Sequence, residues 1–259
     1  MKPDFARTSG DYARHRAGFP DSLFDRLATY GVGTKNQSIV DLGTGTGSLA
    51  RGFASRGCNV IGIDPAQEML DQARELDINA GVQVEYRVAR AENTQLPDAS
   101  YDIVSAGQCW HWFDRPKAAQ EVKRMLKPDG TVVIAHFDWI PLVGNLVRAT
   151  EELIEQRNPD WNMGGGLGMH PLWLKDLGEA GFQNLETFTY DVEVPYTQEA
   201  WRGRIRASAG VGGSMSSTEV KEFDEALGAL LSKCFAEAIL NVPHRVFAVI
   251  AKTPGVLPG

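Results

Sequence analysis

The stretch Val40-Asp41-Leu42-Gly43-Thr44-Gly45-Thr46-Gly47-Ser48-Leu49-Ala50 decides the fold: a short apolar run breaks into three alternating glycines and then opens a helix-forming segment. It reads as strand, ligand loop, helix. Gly43, Gly45 and Gly47 carry no Cβ, so the turn reaches dihedrals closed to other residues and a ligand can lie against bare backbone. Amide groups at the start of the following helix point toward such a ligand. The dinucleotide fingerprint G-x-G-x-x-G is the nearest competitor, but Ser48 stands where its third glycine belongs, and Gly47 comes one position early. Charge argues in the same direction, because Asp41 at the strand end would repel a pyrophosphate and attract a cation. A tight turn that binds nothing is the remaining alternative.

Downstream, Leu49, Ala50, Phe53 and Ala54 make the inner stripe of a helix that Gly57 ends, at the position where a left-handed residue is usual. Asn59-Val60-Ile61-Gly62-Ile63 is apolar on both faces, as a buried parallel strand should be, and finishes in Asp64-Pro65. An acid about 20 residues past the loop suits hydrogen bonds to ribose hydroxyls. It serves equally as an N-cap for a helix expected over 66–76. Residues 82–88 alternate as a third strand, Tyr101–Ala106 form a fourth and Thr131–Ala135 a fifth, the last after a Lys127-Pro128-Asp129-Gly130 turn. Upstream, Leu23, Phe24, Leu27 and Ala28 predict a helix capped by Asp21. Strand six is expected over 185–192, a helix over 218–235 and strand seven over 246–251.

The fourth strand delivers Gly107-Gln108-Cys109-Trp110-His111-Trp112-Phe113-Asp114, a concentration of aromatics with one histidine at the end of the sheet where open α/β folds bind ligands. Core packing accounts equally well for Trp112 and Phe113. His111, a few residues past the strand, is the candidate general base, since a neutral imidazole can take a proton from a hydroxyl or amine.

Composition narrows the partners. The 259 residues suffice for one large α/β domain or two small ones, and 33 acidic against 26 basic residues leave a net charge of −7, which opposes nucleic-acid binding. Cys58, Cys109 and Cys234 are isolated, so neither a disulfide framework nor a metal site is expected, and a reducing cytoplasm fits. With no signal-peptide core at Met1–Arg7 and no run of ~18 apolar residues, no membrane partner is expected.

Asp41-Leu42-Gly43-Thr44-Gly45-Thr46-Gly47 resembles motif I of the class I methyltransferases, whose cofactor S-adenosyl-L-methionine carries a sulfonium, an ammonium and a ribose but no phosphate. Gly107–Asp114 is similar to the G-Q-x-x-H-W-F-D stretch of small-molecule, type 11-like relatives, and the segment from Leu126 to Ile134 is family-like too. The N/D-P-P motif of adenine-N6 and glutamine methyltransferases is missing. The resemblance covers residues 10–136 and the final strand. It implies a Rossmann-like, doubly wound α/β fold with a seven-stranded, mostly parallel sheet whose last strand is antiparallel. It further implies a single domain over 1–259, with an N-terminal cover at 1–30 and substrate-side insertions at 138–180 and 196–217.

The same resemblance assigns the site. Tyr12 and Arg16 would reach the methionine end of the cofactor; Asp41, Gly43, Thr44, Gly45 and Gly47 would cradle it; Asp64 and Pro65 would meet the ribose. Met69, Ala91 and Glu92 would border the adenine, with Gly107 and Gln108 completing the cofactor side. Trp110, Trp112, Trp139, His170, Tyr196 and Trp201 would line the acceptor, with no metal involved. The implied reaction is SN2 transfer of the methyl to an O, N, C or S nucleophile of a small molecule, leaving S-adenosyl-L-homocysteine. An NAD-dependent oxidoreductase, disfavoured by Asp41 and the early third glycine, and a protein that holds S-adenosylmethionine without transfer are the alternatives.

Overall fold

The computed structural model describes residues 17–255. Tyr12 and Arg16, with the first part of the expected cover, lie outside the described residues. In chain order the elements are α1 (Asp21–Thr29), β1 (Ser38–Leu42), α2 (Ser48–Ala54), β2 (Asn59–Asp64), α3 (Gln67–Ala80), β3 (Glu85–Val88), β4 (Tyr101–Gly107), α4 (Arg115–Met125), β5 (Leu126–Trp139), α5 (Leu146–Arg157), α6 (Leu172–Glu179), β6 (Gln183–Thr197), α7 (Gln198–Arg206), α8 (Ser217–Cys234) and β7 (Ile239–Lys252). A 3₁₀ turn at Trp110–Trp112 follows β4.

The strands order as β3-β2-β1-β4-β5-β7-β6 in one seven-stranded sheet. Pairs from β3 to β5 are parallel. β7 is antiparallel to β5: Thr253 N–H donates to Gly130 O and Ile140 N–H to Pro243 O, so rising numbers on one strand meet falling numbers on the other. This is the doubly wound α/β class that the sequence predicts. β1 is buried from Ile39 to Leu42 because helices cover both faces of a parallel sheet. Register aligns the strand ends: Leu42 pairs with Ile63 and with Ala106, and Gly107 pairs with Ala135. The loops after β1, β2, β4 and β5 therefore leave the sheet at one carboxyl edge.

Local departures have physical causes. Pro20, not Asp21, caps α1, and Asp21 is its first helical residue. The third strand pairs only over Glu85–Val88, and β5, β6 and β7 run longer than expected. The Lys127–Gly130 turn is a bulge within β5: between Tyr101↔Leu126 and Ile103↔Thr131 the register shifts, with Asp129 at φ 60°.

The chain forms two compact units. The first comprises, of the described residues, 18–137, 170–189 and 246–255. Its core gathers Val40, Leu42, Ile63, Trp110, Val122 and Trp173, all nearly or wholly out of solvent. The second comprises, of the described residues, 17, 138–169 and 190–245. Its separate core packs Trp139, Trp201, Ile205, Phe223, Leu227 and Val242, and Asn145, Thr197 and Ser216 cap its helices α5, α7 and α8 with their side chains.

Candidate cofactor and acceptor site

The glycine turn is built from both ends. Gly43, Gly45 and Gly47 take φ 58°, 54° and 81°, left-handed values that side-chain-bearing residues resist. A Cβ on Gly43 would lie 2.8 Å from Cys109 Sγ, so β4's outgoing loop presses on the turn there. A Cβ on Gly45 would meet nothing nearer than Met69 Cε at 3.5 Å. The turn is tightly packed behind and open at Gly45.

Two carboxylates hold this shape. Asp41 is 1% exposed; it accepts the Thr44 hydroxyl and the Ser105 hydroxyl, each at 2.7 Å. Burial pushes its carboxyl up to about 6 against the pull of those hydroxyls. Asp64 accepts Gly45 N–H and Ala66 N–H, both at 2.9 Å, and burial raises its carboxyl too. It thus ties the loop and starts the approach to α3, whose N-cap is Ala66. Each Asp64 oxygen keeps acceptor capacity beyond its one amide. Arg51, the first basic residue after the turn, is directed to Asp77 at 2.8 Å.

Around the turn, Met69 is half-buried, Pro65 exposed and Ala91 buried. Glu92 accepts Asp114 N–H at 2.9 Å; although burial works to raise its carboxyl, that amide and Arg90 hold it below the usual range. Gly107 leaves no room for a Cβ, which would sit 2.7 Å from Leu49 Cδ1. Gln108 stands in left-handed backbone at φ 59°, bonds Ala135 O through its N–H at 2.8 Å and donates Nε2–H to Phe137 O at 2.6 Å. Its Oε1 is buried with no hydrogen-bond partner among the described residues. A strained, non-glycine residue with a buried acceptor at a strand's carboxyl end marks a place to look for a ligand.

The aromatic segment splits. Trp110 is fully buried in the core, its indole N–H donating to Asp176 at 3.0 Å, while Trp112 is 37% exposed and His111 is exposed beside it, ring centroids 4.6 Å apart. The structure adds a residue that the sequence reading missed. His136, 8% exposed at the end of β5, lies 6.1 Å from His111 and 4.4 Å from His170, ring to ring. His170 stacks flat on Trp173 at 4.1 Å. The expected fifth strand ending at Ala135, directly before His136, was the signal that could have found it. No group of three or more metal-ligating side chains that could hold an ion occurs among the described residues.

The other expected acceptor residues come together in the second unit's own core. Trp201 is fully buried, with Trp139 at 5.5 Å and Tyr196 at 5.4 Å edge-on. Their indole N–H groups are engaged: Trp139 donates to Glu151 at 2.9 Å and Trp201 to Thr150 at 3.1 Å. These rings pack the unit.

Residues 40–134 match the family model described as a methyltransferase domain. An uncharacterized methyltransferase of Mycobacterium tuberculosis is 31% identical over 163 residues, 61% of this chain and 64% of that protein, so the match spans just under two thirds of the relative's length. Among solved structures, Haemonchus contortus phosphoethanolamine N-methyltransferase 2, in complex with S-adenosyl-L-methionine, superposes at TM-score 0.57 with 21% identity over 96% of this chain and 56% of that one. The 4+2 cyclase SpnF superposes at TM-score 0.54 with 19% identity over 93% of this chain and 85% of that one. Both likenesses are of fold. Residues 40–134 thus carry a methyltransferase domain by sequence, and the described chain shares the fold of these solved structures.

Proposed function

We infer that this chain binds S-adenosylmethionine at the carboxyl ends of β1, β2 and β4 and transfers its methyl group to a small-molecule nucleophile. The observation that carries the reading is the pairing of Asp41 and Asp64 around a glycine turn that is open at Gly45. A buried acid, Asp41, and a half-buried one, Asp64, suit a cationic ligand with a ribose and oppose a pyrophosphate. The residues fit the cofactor in kind: Asp64 has acceptor capacity left for ribose hydroxyls, and the buried Gln108 Oε1 would accept from an ammonium. Met69, Ala91 and Glu92 are the adenine border in this reading, Gly43, Thr44 and Gly47 the cradle, Pro65 the ribose edge and Gly107 the floor.

Bound there, the cofactor supplies an electrophilic methyl on its sulfonium. The chain's part is to align the acceptor and keep water away, and alignment alone can supply roughly 7 to 11 kcal/mol. A hydroxyl or amine acceptor must lose its proton as it is methylated; His111, with His136 and His170 behind it, is the group for that step. Trp112 lies beside His111 and would shield a planar or apolar acceptor. Acceptor selection belongs to segments 138–180 and 196–217, beyond the family match. The fold is shared with SpnF, named a 4+2 cyclase and not a methyltransferase, and the second reading is that this chain holds S-adenosylmethionine without transferring its methyl.

Calorimetric titration with S-adenosylmethionine and with NAD separates the cofactors; binding of NAD alone would overturn the assignment. Incubation of metabolite extracts with the enzyme and deuteromethyl cofactor, read by mass spectrometry, then reports transfer. A labelled small molecule supports the reading, and cofactor binding with no labelled product supports the second one.

A further inference from the structure

We propose that Arg51, Asp77 and Tyr86 form a brace that holds the glycine turn in its ligand-binding shape from behind, acting as positioning residues for the cofactor. The inference rests on the cofactor reading above and extends it to three residues outside the family's glycine motif. Three alternating glycines lose more freedom on ordering than other residues would, so such a turn keeps one shape only when several partners fix it. Asp41 and Asp64 fix it at Thr44 and Gly45. The far half is fixed elsewhere. Arg51 Nη2–H donates to Thr46 O at 2.7 Å, the carbonyl between Gly45 and Gly47, and to Ala73 O at 3.3 Å. Its Nε–H donates to Asp77 Oδ1 at 2.8 Å, and the Tyr86 hydroxyl donates to Asp77 Oδ2 at 2.8 Å.

Asp77 therefore orients both groups, and both touch the turn. A Cβ on Gly47 would stand 2.4 Å from Tyr86 Oη and 3.1 Å from Arg51 Nη2, so Gly47 is seated directly against the pair. Asp77 is 4% exposed and Tyr86 8%, which makes the network a buried one whose members are costly to leave unpaired. The brace has an electrostatic consequence as well. Arg51 lies in the last turn of the short helix α2, close behind the glycine turn, yet its charge is matched by Asp77 and aimed at a carbonyl. The turn thus keeps the acidic character that suits a sulfonium.

The test is isothermal titration of the full chain with S-adenosylhomocysteine, comparing the parent with Tyr86→Phe, Arg51→Lys and the double variant. Each single substitution is expected to weaken binding about tenfold, within the range seen for residues that touch no ligand, and the double variant no more than the worse single, since both act through Asp77. Val122→Ala, a core truncation in the same unit, is the control: it lowers the urea midpoint and leaves the affinity unchanged. Parent-like affinity in both single variants, or equal weakening by Val122→Ala, overturns the brace while the cofactor reading stands. A parent chain that does not bind S-adenosylhomocysteine overturns the cofactor reading and the brace together.

Discussion

Asp64 accepts the N–H of Gly45 at 2.9 Å and so joins the end of β2 to the middle of the glycine turn across 19 residues of sequence. One carboxylate orders the loop and, in the proposed reading, would also accept from a ribose hydroxyl. Asp64→Ala removes both contributions, and hydrogen bonds to a charged group are worth about 1.5 to 3 kcal/mol, so affinity for S-adenosylhomocysteine should fall about 10- to 100-fold. Calorimetry reads this directly. Unchanged affinity in a variant with a parent-like circular dichroism spectrum would remove Asp64 from the site.

Asp41 predicts an inverted pH dependence. Its folded carboxyl, pushed by burial up to about 6 from the usual 3.8, holds a proton that the unfolded chain has already released. Folding therefore loses stability through this group as pH rises across that window. Asp41→Asn has no such proton, so its stability relative to the parent should improve by on the order of 3 kcal/mol between about pH 4 and pH 7. Urea unfolding at several pH values checks it, and a difference that stays constant with pH would refute the buried, raised carboxyl.

Glu121 behaves in the opposite sense. It pairs with Arg124 at 2.8 Å and accepts the Thr94 hydroxyl at 2.6 Å, and chiefly through the Arg124 bond its carboxyl is held at about 2. The stabilisation is complete above the ordinary 4.5 and is lost as pH falls toward 2. Glu121→Gln should cost on the order of 2 to 3 kcal/mol at neutral pH and close to nothing at about pH 2. The same unfolding series measures it.

Gly43→Ala tests the turn itself. The left-handed backbone costs a side-chain-bearing residue roughly 1 to 2 kcal/mol, and the added Cβ meets Cys109. Thermal unfolding should show a loss of at least about 2 kcal/mol. Cofactor binding should weaken with it, because Cys109 and Phe113 must shift. A variant as stable as the parent would mean that the turn adapts freely.

Histidine truncation separates chemistry from binding. In extracts that support transfer to a hydroxyl or amine, His111→Ala should lower turnover roughly 10²-fold while affinity for S-adenosylhomocysteine holds. If His111→Ala turns over normally and His136→Ala does not, the proton acceptor is the buried histidine at the end of β5. Parent-like turnover in both variants would exclude both as the base and leave either His170 or Tyr196 in that role or an acceptor that needs none.

Much of this molecule was legible in the chain because the relevant physics is local. Left-handed glycines, apolar runs too continuous for a one-sided strand, and an acid where β2 must end are properties of neighbours in sequence, and they suffice for the strand-turn-helix at residues 40–50 and the parallel sheet around it. What side chains do with distant partners is not local. Asp41 turns inward onto Ser105, 64 residues away, a pairing that only the β1–β4 register creates. Trp110 and Trp112 are alike in sequence, yet the 3₁₀ turn buries one against Asp176 and exposes the other. His136, His170 and Trp173 meet because the start of α6 returns to the end of β5. Asp77 could have been suspected: α3 buries Leu70, Ala73 and Asp77 on one stripe, and an acid there demands a partner. That the partners are Arg51 and Tyr86, and that they press on Gly47, was settled by tertiary packing, since helix periodicity fixes which face is buried but not what the neighbouring elements place against it.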